Sequence, residues 1–97
     1  MKVDFSVILT NFNGEPLKNG ESDFSLKMAS VEALLATLES DKGATGEAKL
    51  ALYALSLKIH SSEGELDLTP EDVALLRKRV GLMYAPLVVG KVFEKLG

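Results

Sequence analysis

Apolar and polar residues alternate in two segments near the start of the chain, over residues 3–9 and 23–28. Alternation with a period of two is typical of strands that are buried on one face. The two segments are joined by a polar, glycine-containing connection, and this order favours two antiparallel strands. The pattern therefore predicts a β-hairpin over about residues 2–28.

The connection between the predicted strands, LTNFNGEPLKNG, contains two Asn-Gly pairs and a proline. Asn and Gly tolerate positive φ and Pro restricts the chain direction, so we expect two successive bends, one at each Asn-Gly pair. The connection is long for a hairpin, so either the strands extend into it through Phe12 and Leu17 or it has its own structure. Its exposed tip, around Glu15 and Lys18, is one candidate for partner binding.

After the hairpin, the spacing of apolar residues predicts four helices, over residues 30–39, 46–61, 70–84 and 86–96. Ser30, Thr45 and Thr69 each precede or open one of the first three, where their hydroxyl groups can cap free amides. Pro70 suits the first position of the third helix, and Pro86 separates that helix from the fourth. We therefore predict one α+β domain over residues 1–97, an N-terminal antiparallel β-hairpin followed by a four-helix, mostly α-helical bundle.

Three expectations about packing accompany this prediction. The helix over residues 46–61 is apolar almost all round, which is typical of the central helix of a bundle. The short alternation ELDL just before Thr69 favours an extended lead-in to the third helix over an additional strand. Gly90 lies within the fourth helix, where it lowers helix stability, and close packing between helices is its simplest explanation.

Composition and charge narrow the class of protein. The chain has 97 residues, no cysteine, one histidine and a formal net charge of −3. The absence of cysteine excludes disulfides and thiolate chemistry, and it fits a reducing compartment. No apolar run has the length of a signal peptide or of a membrane-spanning helix. We therefore expect a soluble globular protein with no membrane partner.

None of the residue patterns meets the requirements of a catalytic or metal site. His60 has only adjacent serines beside it, whereas a nucleophile and its base usually come from distant segments. The GATGEAKL loop lacks the spacing of a phosphate-binding loop. The acidic residues between Glu63 and Asp72 lack the alternating oxygen ligands of a calcium-binding loop. The sequence therefore predicts no catalytic residue, no cofactor and no metal, and the protein is not expected to be an enzyme.

The C-terminal segment LMYAPLVVGKVF is the main candidate for binding another protein. Tyr84, Leu87 and Phe93 are aromatic or branched apolar residues near the break between two helices, where they can present anchors to a partner. An ordinary core position explains the same residues, so core and interface both remain open.

The densest basic run, Arg77, Lys78 and Arg79, supports an alternative prediction, a small nucleic-acid-binding regulator. Adjacent residues lie about 100° apart around a helix, so the three charges do not share one face. The run and the net negative charge therefore make nucleic acid an unexpected partner.

Three motifs, NFNGEP, GEAK and DLTPEDVALLRKRVGLMYAPLVVGK, occur in this order along the chain. They resemble a group of small proteins encoded by tailed bacteriophages and prophages, whose pattern reads NFDGEP, GEEK and DLTAEDIALIKKLVGKAYGPLVVGQ. The resemblance covers nearly the whole chain and is strongest over residues 67–96. Among its departures from the pattern are Asn13, where the pattern has Asp, and Met83, where it has Ala.

The resemblance implies a phage origin and the same small fold, and it implies no activity and no catalytic residues. We therefore expect a non-catalytic protein that acts in protein–protein interaction or as an accessory to virion assembly. Its expected partner is another phage or host protein, or a second copy in a homo-oligomer. Its expected location is the cytoplasm of the bacterial host, or the virion itself.

Overall fold

The computed structural model describes residues 1–96, with the backbone alone for Ser40. The elements in chain order are β1 (Lys2–Asp4), β2 (Lys18–Asn19), β3 (Ser22–Asp23), α1 (Leu26–Leu35), α2 (Gly46–His60), β4 (Glu65–Asp67), α3 (Pro70–Met83) and α4 (Pro86–Lys95). A 3-10 turn, Glu39–Asp41, lies between α1 and α2. The predicted class, α+β with antiparallel N-terminal strands and four helices, is confirmed.

The first strand pairs with a distant segment of the chain. β1 and β4 are antiparallel, and Val3 lies opposite Leu66 in their register. The favoured interpretation of residues 65–68 as an extended lead-in is therefore wrong. Val3 is buried and Leu66 is half-buried, while their neighbours in both strands are exposed. The short sheet thus covers the core with one residue from each strand.

The connection between β1 and α1 forms two successive bends, as predicted. Thr10 pairs with Pro16 around the first bend, and β2 pairs with β3 around the second. Gly14 and Gly20 have φ angles of 82° and 68°, a backbone region that strongly favours glycine. Over residues 1–96, positive φ occurs only at glycines, so the preceding asparagines do not share this conformation.

Helix α1 begins and ends four residues before the predicted bounds. Its N-cap is Ser25, whose hydroxyl accepts a hydrogen bond from the amide of Met28 at 3.1 Å, whereas Ser30 lies buried inside the helix. The predicted second strand ends as β3 at Asp23, and Ser25 forms one further antiparallel bridge with Ile8. The buried residues from Leu26 onward follow a helical spacing, which overrides the short alternation.

The bounds of α2, α3 and α4 agree with the predictions to within one residue. Local signals define these ends. Thr45 caps α2, and Thr69 and Asp72 form a reciprocal capping box with bonds of 3.1 and 3.2 Å. Pro70 and Pro86 occupy the first turns of α3 and α4, where a missing amide hydrogen has no cost.

The core lies where α1 packs against α2 and α3 and where the strands cover one end. The largest fully buried apolar side chains come from every part of the chain: Phe5, Leu9, Leu26, Leu34, Ile59, Leu76, Val80, Val92 and Leu96. This single cluster includes residues from the N-terminal segment and from all four helices. The N-terminal strands therefore complete the same core as the helices.

Helix α2 lies on one side of this core, and the prediction of a central position is wrong. Its main helix contact is with α1. Its buried residues are Leu55, Ser56 and Ile59. On the opposite face, Leu50, Tyr53 and Leu57 are 63%, 55% and 49% exposed. An apolar helix is buried all round only when other elements cover every side, and α2 has too few such neighbours.

Candidate interaction surface

An apolar groove lies between the first bend of the N-terminal connection and α4. It has a volume of about 290 Å³. We call it the Phe12 groove, and its lining residues are Phe12, Pro86, Leu87, Gly90, Lys91 and Glu94. The side chain of Phe12 is 90% exposed, the largest exposed fraction among the large apolar residues that the structure describes. A ring so exposed does not contribute to the core, so its position requires another explanation.

The first bend holds Phe12 in place through the Asn11 side chain. Asn11 Oδ1 accepts hydrogen bonds from the amides of Asn13, at 2.8 Å, and Glu15, at 3.1 Å. The Asn11 amide in turn donates to the carbonyl of Glu15 at 2.9 Å. An asparagine that bonds amides further along the chain stabilises a tight turn. Phe12 is therefore carried by an ordered turn, which lowers the entropy lost when a partner binds.

Helix α4 forms the other side of the groove. Gly90 is exposed, and a β-carbon placed there would meet no atom within 4 Å. The expectation that Gly90 marks close packing between helices is therefore wrong. The ammonium group of Lys91 lies 5.7 Å from the centre of the Phe12 ring, a distance at which a cation and an aromatic face attract each other. Lys91 thus links the bend to the helix.

Of the three predicted anchors in the C-terminal segment, Leu87 lies in the Phe12 groove and Tyr84 does not. The Tyr84 ring packs edge-on against Phe24, with ring centres 5.8 Å apart. Its hydroxyl lies 3.2 Å from the carbonyl oxygen of Ala29 and 3.1 Å from the carboxylate of Glu32. Burial raises the pKa of the Tyr84 phenol above its ordinary value, and the charge of Glu32 raises it further. Tyr84 therefore fastens the end of α3 to α1.

The third predicted anchor, Phe93, is half-buried against the core. The guanidinium carbon of Arg77 lies 5.3 Å from the centre of its ring. At the tip of the N-terminal connection, Glu15 is exposed, and the ammonium of Lys18 forms an ion pair with Asp23. The structure thus brings Leu87 beside the first bend, which contains Glu15, and leaves Tyr84, Phe93 and Lys18 at separate places.

Sequence reasoning missed Phe12 as a candidate because apolar residues are usually assigned to strands. The sequence does indicate an exposed position, because this aromatic residue stands between two asparagines inside a turn motif, NFNG. Side chains at a turn tip point to solvent more often than into a core. An aromatic residue at such a position therefore indicates an exposed anchor.

The basic run behind the nucleic-acid alternative does not form a common surface. Arg79 is only 3% exposed. Its Nε donates to the carbonyl of Ala33 at 2.9 Å, its Nη2 donates to the carbonyl of Ala36 at 2.6 Å, and its Nη1 pairs with Asp41. Arg79 therefore caps the C-terminal end of α1. Arg77 stacks on Phe93, which leaves Lys78 as the exposed member of the run.

Asp41 completes this buried arrangement. Besides pairing with Arg79, its carboxylate accepts a hydrogen bond from the amide of Leu38 at 2.8 Å. These two bonds, that from Arg79 above all, hold the pKa of the Asp41 carboxyl below its ordinary value. The ion pair therefore joins α3, the end of α1 and the 3-10 turn.

A second apolar surface is the outer face of α2. We call it the α2 stripe, and it consists of Leu50, Tyr53, Ala54 and Leu57, all exposed. A cleft of about 460 Å³ runs beside it, and Leu35, Leu38 and Tyr53 are among its lining residues. The stripe and the Phe12 groove share no residue.

Over residues 1–96, no cluster of three or more His, Cys, Asp or Glu side chains is placed to hold a metal ion. His60 is exposed at the last position of α2. Within the same residues, no helix combines the length and apolarity needed to span a membrane.

Comparison with known proteins gives no match: no family model fits the chain, and no curated protein or solved structure is similar to it. The resemblance to phage and prophage proteins therefore stays a prediction from motifs.

Proposed function

We propose that this protein is a non-catalytic interaction module of a phage or prophage, which binds another phage or host protein in the Phe12 groove. The observation that carries the proposal is the 90% exposed ring of Phe12, held on a hydrogen-bonded turn beside α4. Exposed aromatic residues on rigid supports are typical anchors of protein interfaces. The phage origin is taken from the motif resemblance alone.

The size and polarity of the groove favour a peptide segment as the bound group. Its volume of about 290 Å³ lies just below the range of small-molecule pockets and suits one or two apolar side chains. Lys91 and Glu94 supply opposite charges at its edge. A partner segment with an apolar anchor, flanked by one acidic and one basic residue, complements both charges.

Site-specific photo-crosslinking tests this proposal. Replacing Phe12 with p-benzoylphenylalanine keeps an aromatic ring at the bend, and the same replacement of the exposed Glu63 is the matched control. In bacteria that carry the phage or prophage, we expect one defined adduct with another protein at position 12 and none at position 63. Equal labelling at the two positions, or no adduct at position 12, contradicts the proposal.

Phe12→Ala provides the second arm. Because the ring is almost fully exposed, we expect the free energy of unfolding to change by less than about 0.5 kcal/mol. We also expect the variant to lose the adduct partner in a pull-down with the purified protein. A variant that folds normally and still retains this partner shows that the groove is not the binding site.

A further inference from the structure

We infer that the α2 stripe binds the α2 stripe of a second copy of this chain, in an antiparallel dimer with twofold symmetry. This inference goes beyond the Phe12 groove and does not depend on it, since the two surfaces share no residue. The starting observation is that Leu50, Tyr53 and Leu57 are 63%, 55% and 49% exposed along one face of α2. Residues spaced by three, four and seven positions lie in line on a helix, so this face is a continuous apolar strip.

The spacing of the four stripe residues is symmetric about the centre of the stripe. From Leu50 to Leu57 the stripe reads Leu, Tyr, Ala, Leu, with the two central residues adjacent in sequence. When two such helices run antiparallel about a twofold axis between Tyr53 and Ala54, each Leu50 lies opposite Leu57 of the second copy. Tyr53 and Ala54 lie about 100° apart, on opposite sides of the line of leucines, so each Tyr53 ring lies beside Tyr53 of the second copy and each Ala54 beside its Ala54. The two alanines let the helices approach closely on one side, and the two tyrosine rings pack against each other on the other side, which favours this occupant.

Charge along the edge of the stripe favours the same arrangement. Glu47 and Lys58 are eleven residues apart, so they lie about 20° apart around the helix and about 16 Å apart along it. Glu47 and Lys58 therefore lie on the same edge of the stripe, at opposite ends of α2. Two antiparallel helices bring like edges together, so Glu47 meets Lys58 of the second copy at both ends of the contact. Both residues are exposed. The ammonium group of Lys58 lies 3.5 Å from the Asp72 carboxylate of its own chain, and this long ion pair does not use all the N–H donors of Lys58.

The other edge of the stripe does not oppose this pairing. Lys49 lies on that edge, and it lines the cleft that also contains Asp41, whose pKa it helps to lower. His60 is the other residue there that can carry charge, and it lies at the end of the helix. The edge of Glu47 and Lys58 therefore sets the direction in which two copies pair.

The size of the contact indicates a reversible dimer. Helix α2 has 15 residues and is about 22 Å long. One pair of helices of this length is smaller than a standard stable interface, which takes roughly 800 Å² from each partner. We therefore expect a dimer that dissociates in the micromolar range of protein concentration.

Sedimentation velocity across the micromolar range provides the first test. The wild-type chain is expected to change from monomer to dimer as its concentration rises. Leu57→Glu places a charge opposite Leu50 of the second copy and is expected to raise the dissociation constant by roughly tenfold or more. Glu21→Lys changes charge at an exposed turn outside the stripe and should leave the dissociation constant unchanged. A monomeric wild type, or a dimer that Leu57→Glu does not weaken, overturns the inference.

A charge-swap experiment tests the antiparallel direction. Glu47→Lys places two positive residues at each end of the contact, and Lys58→Glu places two negative residues there. Each variant alone should dimerise roughly threefold or more weakly than the wild type. An equimolar mixture should restore association, because opposite charges then meet at both ends of a heterodimer. A mixture that associates no better than the separate variants overturns the antiparallel pairing.

Discussion

Helices α1 and α2 pack against each other and are both rich in apolar residues, yet only α1 is enclosed by the fold. α1 contacts α2 on one side and α3 on another, and Arg79 caps its C-terminal end. α2 has α1 as its main helix contact and leaves the α2 stripe outside. The comparison shows that the number of neighbouring elements, more than the apolar content of a helix, decides how much of it is buried. Substitutions in the surroundings of α1 should therefore change stability, whereas those on the α2 stripe should change association.

The largest effect is expected at the cap of α1. Arg79→Ala leaves two helix carbonyls without their donors, each at a cost of about 1 to 3 kcal/mol, so we expect the free energy of unfolding to fall by about 3 to 5 kcal/mol. Lys78→Ala, at the exposed neighbouring position, should change it by less than about 0.5 kcal/mol. Urea denaturation of both variants measures the difference. Equal effects at the two positions would show that the buried arginine does not hold α1.

The next prediction compares the loss of one leucine side chain from α1 with the loss of one from α2. Leu34 is buried in α1, so Leu34→Ala is expected to lower the free energy of unfolding by about 2 to 4 kcal/mol. Leu57 on the α2 stripe is half exposed, so Leu57→Ala should cost less than about 1 kcal/mol when measured below the concentration at which dimers form. Thermal and urea denaturation of dilute protein give both values. A large loss for Leu57→Ala in the monomer would place the stripe inside the core.

Substitutions of two serines test where α1 begins. Ser25 is the observed N-cap, so Ser25→Ala should lower the free energy of unfolding by about 1 kcal/mol. Ser30 is buried within the helix, and its hydroxyl has no hydrogen-bond partner among the side chains and backbone that the structure describes. Ser30→Ala removes that unpaired group and should raise the free energy of unfolding by about 1 kcal/mol. If Ser30→Ala destabilises and Ser25→Ala does not, the helix begins at Ser30.

The smallest expected effect is on the stability of the protein at acid pH. The pKa of Asp41 is lower in the folded protein than in the unfolded chain, so its contribution to stability is fully present above about pH 4. That contribution is lost as the pH falls through the folded pKa. The stability difference between wild type and Asp41→Asn should therefore be constant near neutral pH and shrink below about pH 4. Denaturation midpoints across this range measure it, and parallel curves down to low pH contradict the role of Asp41.

The sequence predicted the last three helices well because their ends are marked by residues that act locally. Thr45, Thr69, Pro70 and Pro86 affect only the adjacent turn, so their meaning does not depend on the rest of the fold. Two serines could each cap α1, and a short alternation resembled a strand, so the bounds of that helix were wrong. The Asn-Gly bends were predicted for the same local reason as the caps.

The features that were predicted wrongly depend on distant parts of the chain. Nothing in residues 2–4 indicates that their partner is 65–67, because pairing between remote strands has no local pattern. Helix α2 has two apolar faces, and only its neighbours decide which is buried. Phe12 and Leu87 are far apart in sequence, so the Phe12 groove between them could not be predicted, although each residue was visible as an apolar side chain.

The pairing of β1 with β4 has a consequence for synthesis in the cell. Lys2 pairs with Asp67, 65 residues later. At translation rates of about 5 to 20 residues per second, β1 leaves the ribosome roughly 3 to 13 s before its partner. During that interval Val3 and Phe5 are exposed, while α1 and α2 can already pair. We expect the first strand to dock only after residue 67 has emerged, and protease digestion of nascent chains arrested before and after that residue emerges measures the delay.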